Sequence, residues 1–275
     1  MDIEGHRKVK GHAGVYAPRA TKPDIHRVQT LIANVYFVTL PNSDDWFLVD
    51  TGVANSEDKI ISYAEEQYGA DRPPVAILLT HGHFDHVGSV KPLVETWHVP
   101  VYAHKLELPY LTGKVNYPPA DPTVGGGLMS RLAPLYPNEA IDLGEDVHPL
   151  PPDGRLPFTT EWRWIHTPGH TPGHVSFFRN MDRALIAGDA FITVKQESAF
   201  SVMTQAQEVH GPPQYFTTDW DDAWRSVKKL RLLEPSAAFT GHGIPMSGED
   251  LAKGLDRLAN DFDRLAIPEH GKYVH

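Results

Sequence analysis

The sequence predicts an α/β protein in which two mixed β-sheets pack face to face with helices outside. Three observations predict it. Strand-turn-strand groups followed by amphipathic helical stretches occur in both halves of the chain. The 275 residues, 41% of them hydrophobic, can fill one large core, so 1–275 reads as a single domain. Histidines and aspartates recur just after apolar runs and beside glycine, where an α/β scaffold carries its functional loops.

Residues 1–22 are polar and Gly-rich and read as a loosely held N-terminal arm. Residues 34–40 alternate as a strand, Asp44-Asp45 marks a turn, and 46–49 is the return strand, ended by Asp50-Thr51-Gly52. Ser56 is the expected N-cap of a helix over 57–68, with Ile60, Ile61, Ala64 and Tyr68 on one face and Gly69 as its stop. Lys59 at the third helical position rules out a capping box. Residues 75–79 read as a buried strand, 89–97 as a helix with Pro92 near its start, and 99–103 as another strand.

Between 106 and 143 the periodicity fails. Tyr117-Pro118-Pro119, Gly125-Gly126-Gly127 and Tyr136-Pro137 punctuate a stretch with exposed-looking Leu108, Tyr110, Leu111, Leu128, Met129 and Leu135. It reads as short helices in a lid-like insertion over the substrate, because long irregular excursions in compact domains are usually functional. Further strands are expected at 162–165, 175–178 and 184–186, the last two turned by Asn180-Met181-Asp182. After an irregular stretch over 191–216, a helix over 219–233 has Asp219 as N-cap, acids in its first turn and Lys228, Lys229 and Arg231 near its end. A strand at 237–240 runs into Gly241-His242-Gly243, and 248–266 is a final amphipathic helix.

Composition removes several classes. The chain has no cysteine, which excludes disulfides, thiolate metal ligands and cysteine nucleophiles. Its formal net charge of -10 argues against nucleic acid as a partner. No apolar stretch approaches membrane-spanning length, so no membrane role is expected. Residues 1–10 lack the apolar core of a secretory leader, and the expected location is cytoplasmic. Apolar residues in the insertion leave a homodimer open.

The chemistry concentrates in His81-Gly82-His83-Phe84-Asp85-His86, which directly follows the 75–79 strand. Imidazole nitrogen and carboxylate oxygen are the usual zinc ligands where thiolate is lacking. His81, His83 and Asp85 are spaced by two, so extended backbone points them to one side, and His86 follows where the chain turns. A metal site needs more than one loop. Three further residues share the strand-end, glycine-flanked signature: His170 after 162–165, Asp189 after 184–186, and His242 after 237–240.

The ordered set His81, His83, Asp85, His86, His170, Asp189 and His242 resembles the metal-dependent hydrolases of the metallo-β-lactamase superfamily. Leu48-Val49-Asp50-Thr51-Gly52 matches that family's approach to its site, and the resemblance spans roughly Val28 to Pro245. It implies an αββα sandwich with the site at one edge of the sheets. It further implies a first metal on His81, His83 and His170, a second on Asp85, His86 and His242, and Asp189 bridging them. The Thr80-to-His86 and His170 regions are similar to glyoxalase II enzymes. Acyl-homoserine lactonases carry a tyrosine where this chain has Ile192, and the cysteine-ligand β-lactamases are excluded outright.

Seven N/O donors exceed one tetrahedral zinc and suit two open-sided divalent ions, zinc first, with manganese or iron as alternatives. Asp85, Asp189 and a bridging hydroxide would offset three of four positive charges, leaving one to polarise a carbonyl or phosphate of a small-molecule substrate. The expected reaction is attack of that hydroxide on a small ester, thioester or lactone. A small phosphodiester is the second reading, and a noncatalytic metal-binding module the third. Asp85 is the candidate to orient the nucleophile or take a proton, and Asp50 to orient a ligand histidine. His174 is expected to be a hydrogen-bonded structural residue, while Lys195 and His210 are candidates to face substrate. Apolar and aromatic residues of the insertion, with Phe191, Phe200, Tyr215 and Phe216, predict a pocket for an uncharged, partly hydrophobic acyl group.

Overall fold

Alternating side chains along the central strands decide the architecture. In a computed structural model, which describes residues 22–124, 136–194 and 208–274, the strands form two six-stranded sheets. The first runs in the order β1 (Ile25–Thr30), β2 (Ala33–Thr39), β3 (Trp46–Val49), β4 (Ile77–Leu78), β5 (Val101–Ala103), β6 (Val147–Pro149). The second runs from β12 (Met246–Ser247) through β11 (Ala237–Thr240), β10 (Ala184–Gly188) and β9 (Val175–Arg179) to β8 (Thr159–His166) and β7 (Arg155–Leu156). Each sheet combines antiparallel pairs with parallel ones, β3–β4–β5–β6 in the first and β10–β11 in the second.

Tyr36, Val38, Phe47 and Val49 point inward and meet Trp162, Phe177, Ile186 and Phe239 of the facing sheet. Their neighbours point outward, as the two-residue period requires. Phe37, Leu48 and Leu79 pack against α1 (Glu57–Tyr68) and α3 (Val90–Trp97) through Ile60, Val90 and Leu93. Phe178, Leu185 and Ala187 pack against α5 (Trp220–Arg231) and α6 (Gly248–Asn260) through Val227, Leu230, Leu251 and Leu255. The result is the expected αββα sandwich.

Several expectations shift at element ends. The 75–79 run keeps its ladder, with Val75 N–H donating to Trp46 O and Leu79 N–H to Tyr102 O. The 248–266 helix breaks at Asp261, and α7 (Phe262–Leu265) follows. Strands β1, β6, β7 and β12 were not anticipated. Leu111, expected on the surface, is buried, because the insertion folds back on itself. Its limbs pair through Thr112 and Asp142, and Leu111, the last residue of α4 (Leu108–Leu111), enters the helical layer outside the first sheet. Leu128, Met129 and Leu135 of the insertion, most of the N-terminal arm, Lys195 and Phe200 lie outside the described residues. Among the described residues no helix is long and apolar enough to cross a membrane.

Candidate metal centre

All seven predicted donors meet at one edge of the sandwich, and each is buried. The first sheet delivers four of them. Beyond β4 the chain runs extended through His83, then turns into the single-turn helix α2 (Phe84–Val87), which carries Asp85 and His86. Asp50, at the end of β3 and in the left-handed region at φ 60°, grips both ends of this loop. Its carboxylate accepts from the Thr80 N–H and Thr80 Oγ1, both at 2.8 Å, and from His86 Nδ1 at 2.9 Å. Thr51 reinforces the hold, donating its N–H to His86 O at 2.7 Å.

The second sheet delivers one donor per strand end. His170 comes from the β8–β9 loop, Asp189 follows β10, and His242 follows β11. Gly241 is required here by proximity: a Cβ at that position would lie 2.1 Å from Asp189 Oδ1.

The donors converge. His83 Nδ1 lies 3.0 Å from His170 Nε2. Asp189 Oδ2 sits 3.1 Å from His242 Nε2, 3.4 Å from His170 Nε2 and 3.5 Å from His86 Nε2. Asp85 Oδ2 lies 3.5 Å from His242 Nε2. Three sets could each hold an ion, with ligand atoms within 4.8 Å of one another: His81, His83 and His170; His81, His86 and Asp189; and Asp85, His86 and His242.

Four histidines are anchored through the opposite ring nitrogen. Nδ1 of His81, His170, His86 and His242 meets Thr80 Oγ1, Thr217 Oγ1, Asp50 Oδ2 and Ile32 O respectively. These hydrogen bonds assign Nδ1 as donor and turn Nε2 inward. Inside the cluster, His81 Nε2, His86 Nε2 and Asp189 Oδ1 are buried with no hydrogen-bond partner. A buried orphan costs about 1–3 kcal/mol, so three at one point are better explained as ligands than as defects. The 3.0–3.5 Å separations also suit one coordination sphere, since bonds of about 2.0 Å at a tetrahedral centre put ligand atoms about 3.3 Å apart. The residues present fit divalent cations.

Burial, with neighbouring imidazoles, holds His81 and His170 well below the usual histidine range and His83 down to about 3. Burial is the largest single influence and would lower His86 and His242, but the carboxylates together outweigh it and raise both: Asp189, Asp50 and Asp85 at His86, and Asp189 and Asp85 at His242. Burial pushes Asp85 up, against the pull of His86 and His242. Burial opposes ionisation of Asp189 too, yet His242 and His86 hold it well below the carboxylate range.

His174 stands behind the donors. Its Nδ1 donates to Thr167 O at 3.1 Å, and its Nε2 accepts the Asp189 N–H at 2.9 Å, so it supports the backbone of Asp189. Phe191 belongs to the core beneath the α5–α6 layer and not to a pocket wall. His210 bridges to Ile192 and pairs with Glu208 at 3.3 Å. Sequence reasoning missed Glu107, a fully buried carboxylate beneath the histidine loop, and Tyr117, whose ring lies 4.6 Å from that of His83. Neither stands in a motif; only the fold brings them there.

Comparison with known proteins agrees with this geometry. The model of the metallo-beta-lactamase superfamily matches residues 28–242, and the chain belongs to that family. It is 49% identical to the probable metallo-hydrolase YflN of Bacillus subtilis (strain 168), over 92% of this chain and 94% of that one. The probable metallo-hydrolase YybB of the same organism is 31% identical over 74% of this chain and 78% of its own. Among solved structures, TTHA1623 in a di-iron-bound form is 27% identical with a TM-score of 0.55, covering 81% of this chain and 93% of that one. The BLEG-1 B3 metallo-beta-lactamase shares the fold, with 24% identity, a TM-score of 0.59 and coverage of 86% and 96%. Family and donor set together define a metallo-hydrolase.

Proposed function

We propose that this protein is a dinuclear metal-dependent hydrolase acting on the carbonyl of a small, uncharged ester, thioester or lactone. The observation that carries the proposal is the convergence of buried, unpartnered ligand atoms in one cluster, with four of the five donor histidines anchored from behind. Two ions would be held by His81, His83 and His170 and by Asp85, His86 and His242, with Asp189 between them. Zinc suits these ligands; the di-iron form of TTHA1623 makes iron a second candidate. Bound there, divalent ions supply Lewis-acid polarisation of a carbonyl oxygen and a water acidic enough to serve as nucleophile near neutral pH.

The protein's own groups do the rest. Asp85, whose Oδ2 lies 3.5 Å from His242 Nε2, is placed to orient the attacking water or take its proton, which then goes to the leaving oxygen or sulfur. Phe216, 4.7 Å from the His83 ring, and Phe84, stacked on Tyr136 at 5.3 Å, form an aromatic wall next to the donors. That wall favours an apolar acyl group and excludes water from it.

Elemental analysis beside a panel of thioester, lactone, aryl ester and bis-aryl phosphodiester tests the proposal. About two metals per chain with turnover of carbonyl substrates is the expected result. Turnover of the phosphodiester alone would move the substrate class, and fewer than one metal per chain after reconstitution would overturn the site. Within the esters, longer acyl chains should be preferred over acetyl; equal rates would remove the aromatic wall from specificity.

A further inference from the structure

We propose that Glu107 is a positioning residue that clamps together the two loops carrying His81, His83 and His170, with Tyr117 completing the clamp. The inference rests on reading that trio as a metal site.

Glu107 follows β5 and is fully buried. Its Oε2 accepts the Gly82 N–H at 3.0 Å and the Tyr117 hydroxyl. Its Oε1 accepts the Thr171 hydroxyl and the Gly173 N–H, both at 2.8 Å. Two of these donors are backbone amides, which cannot accept in return. Four donors on one carboxylate match the capacity of its ionised form.

The donors come in two sets. Gly82 lies between His81 and His83, while Thr171 and Gly173 lie one and three residues after His170. One planar group therefore holds the first loop with one oxygen and the second loop with the other. The consequence is visible across the trio, where His83 Nδ1 and His170 Nε2 stand 3.0 Å apart. Space around the clamp is used up. A Cβ on Gly82 would lie 2.6 Å from the Tyr117 hydroxyl oxygen, and one on Gly173 would lie 2.7 Å from Glu107 Oε1. Tyr117 also accepts from the Gly82 N–H at 2.9 Å and stacks on Tyr110 at 3.9 Å. Both tyrosines belong to the 106–143 insertion, which the clamp thus ties to the metal centre.

The clamp is distinguishable from a structural buried acid by what its loss does to a bound ion. Glu107→Gln keeps the shape but turns an NH2 toward donors, and Thr171→Val removes one donor while leaving the charge. Thr171→Ser restores the hydroxyl. Each variant, with Tyr117→Phe, is titrated with Co2+, whose visible absorption reports coordination geometry, and metal-free unfolding is followed by circular dichroism. Glu107→Gln should weaken Co2+ binding by about 10–100-fold and shift the spectrum. Thr171→Val and Tyr117→Phe should move the same way by less, and Thr171→Ser should match wild type. Wild-type affinity and spectrum in Glu107→Gln would overturn the clamp. If Glu107→Gln fails to fold, the Thr171 pair decides: equal behaviour of Val and Ser overturns it. A wild-type protein that takes up no Co2+ overturns the metal reading itself, a result distinct from variants that load as well as wild type.

Discussion

The two donor groups differ in what stands behind them. His81 and His170 lean on hydroxyls, Thr80 Oγ1 and Thr217 Oγ1, and burial keeps all three imidazoles of their trio low. The group of Asp85, His86 and His242 instead contains a carboxylate, leans on Asp50 and the Ile32 carbonyl, and has both histidines raised by Asp189. One half offers neutral lone pairs; the other balances anions against imidazoles. The difference teaches that a cation can be met by preorganised neutral nitrogens or by stored negative charge, and that this centre uses both side by side. Asp189, within 3.5 Å of histidines from either group, joins them.

The largest effect should come from erasing that joint. Asp189→Ala removes the carboxylate shared by both groups. We expect hydrolysis to fall at least about a thousandfold, about 4 kcal/mol of transition-state stabilisation, with metal content falling in both halves. Loss of one ion only would show that Asp189 serves a single group and would break the comparison.

Asp50→Asn tests the charged half alone. One amide oxygen cannot serve both Thr80 and His86, and its NH2 would face a donor. Metal affinity of the Asp85 group should drop about 10–100-fold while the imidazole trio keeps its ion, so metal per chain approaches one at limiting supply. Equal weakening of both halves, read by stepwise metal titration, would mean that Asp50 acts on the whole loop.

Thr217→Val is the matching change on the neutral side. It removes one hydroxyl from His170 Nδ1 at constant volume. The loss of a neutral hydrogen bond is worth about 1 kcal/mol, or about fivefold in affinity for the trio. A loss as large as that of Asp50→Asn would erase the distinction between hydroxyl and carboxylate support.

The same contrast explains what could be read in the sequence. The loop from His81 to His86 is contiguous, so its donors are legible as spacing alone. Asp189 and His242 were legible because each follows a strand beside a glycine, and His170, four residues past the end of β8, because the resemblance selects it over His166 and His174. The paired sheets followed from the strand-turn-strand groups and helices that recur in both halves; in 46–49 and 175–178 both faces are buried and the side chains divide between two cores. Strand β1 was missed because His26, Arg27 and Gln29 break its alternation at the sheet edge, and β6, β7 and β12 are too short to show a period. The final helix ran on in the reading because Asp261 interrupts the backbone without interrupting the apolar rhythm. Glu107 and Tyr117 were invisible because their partners lie in other loops, at Gly82, Thr171 and Gly173.

His104 supplies the smallest effect and a control on the histidine chemistry, since it is buried outside the donor cluster. It stacks on His166 at 4.3 Å, and burial, with His166 and Lys105 beside it, holds it down to about 4. Between pH 6.5 and about 4 the unfolded chain therefore binds a proton that the folded chain refuses. This contribution to stability is intact above pH 6.5 and is lost as pH falls through that window, with no further loss below about 4. His104→Phe keeps a flat ring against His166 and Trp164 and removes the proton site. Denaturant midpoints of metal-free protein should fall less between pH 7 and pH 5 in His104→Phe than in wild type. Parallel decline in the two proteins would assign the acid sensitivity elsewhere. A smaller decline would show that low-pKa histidines weaken this fold in acid even where no cation is available to take the place of the proton.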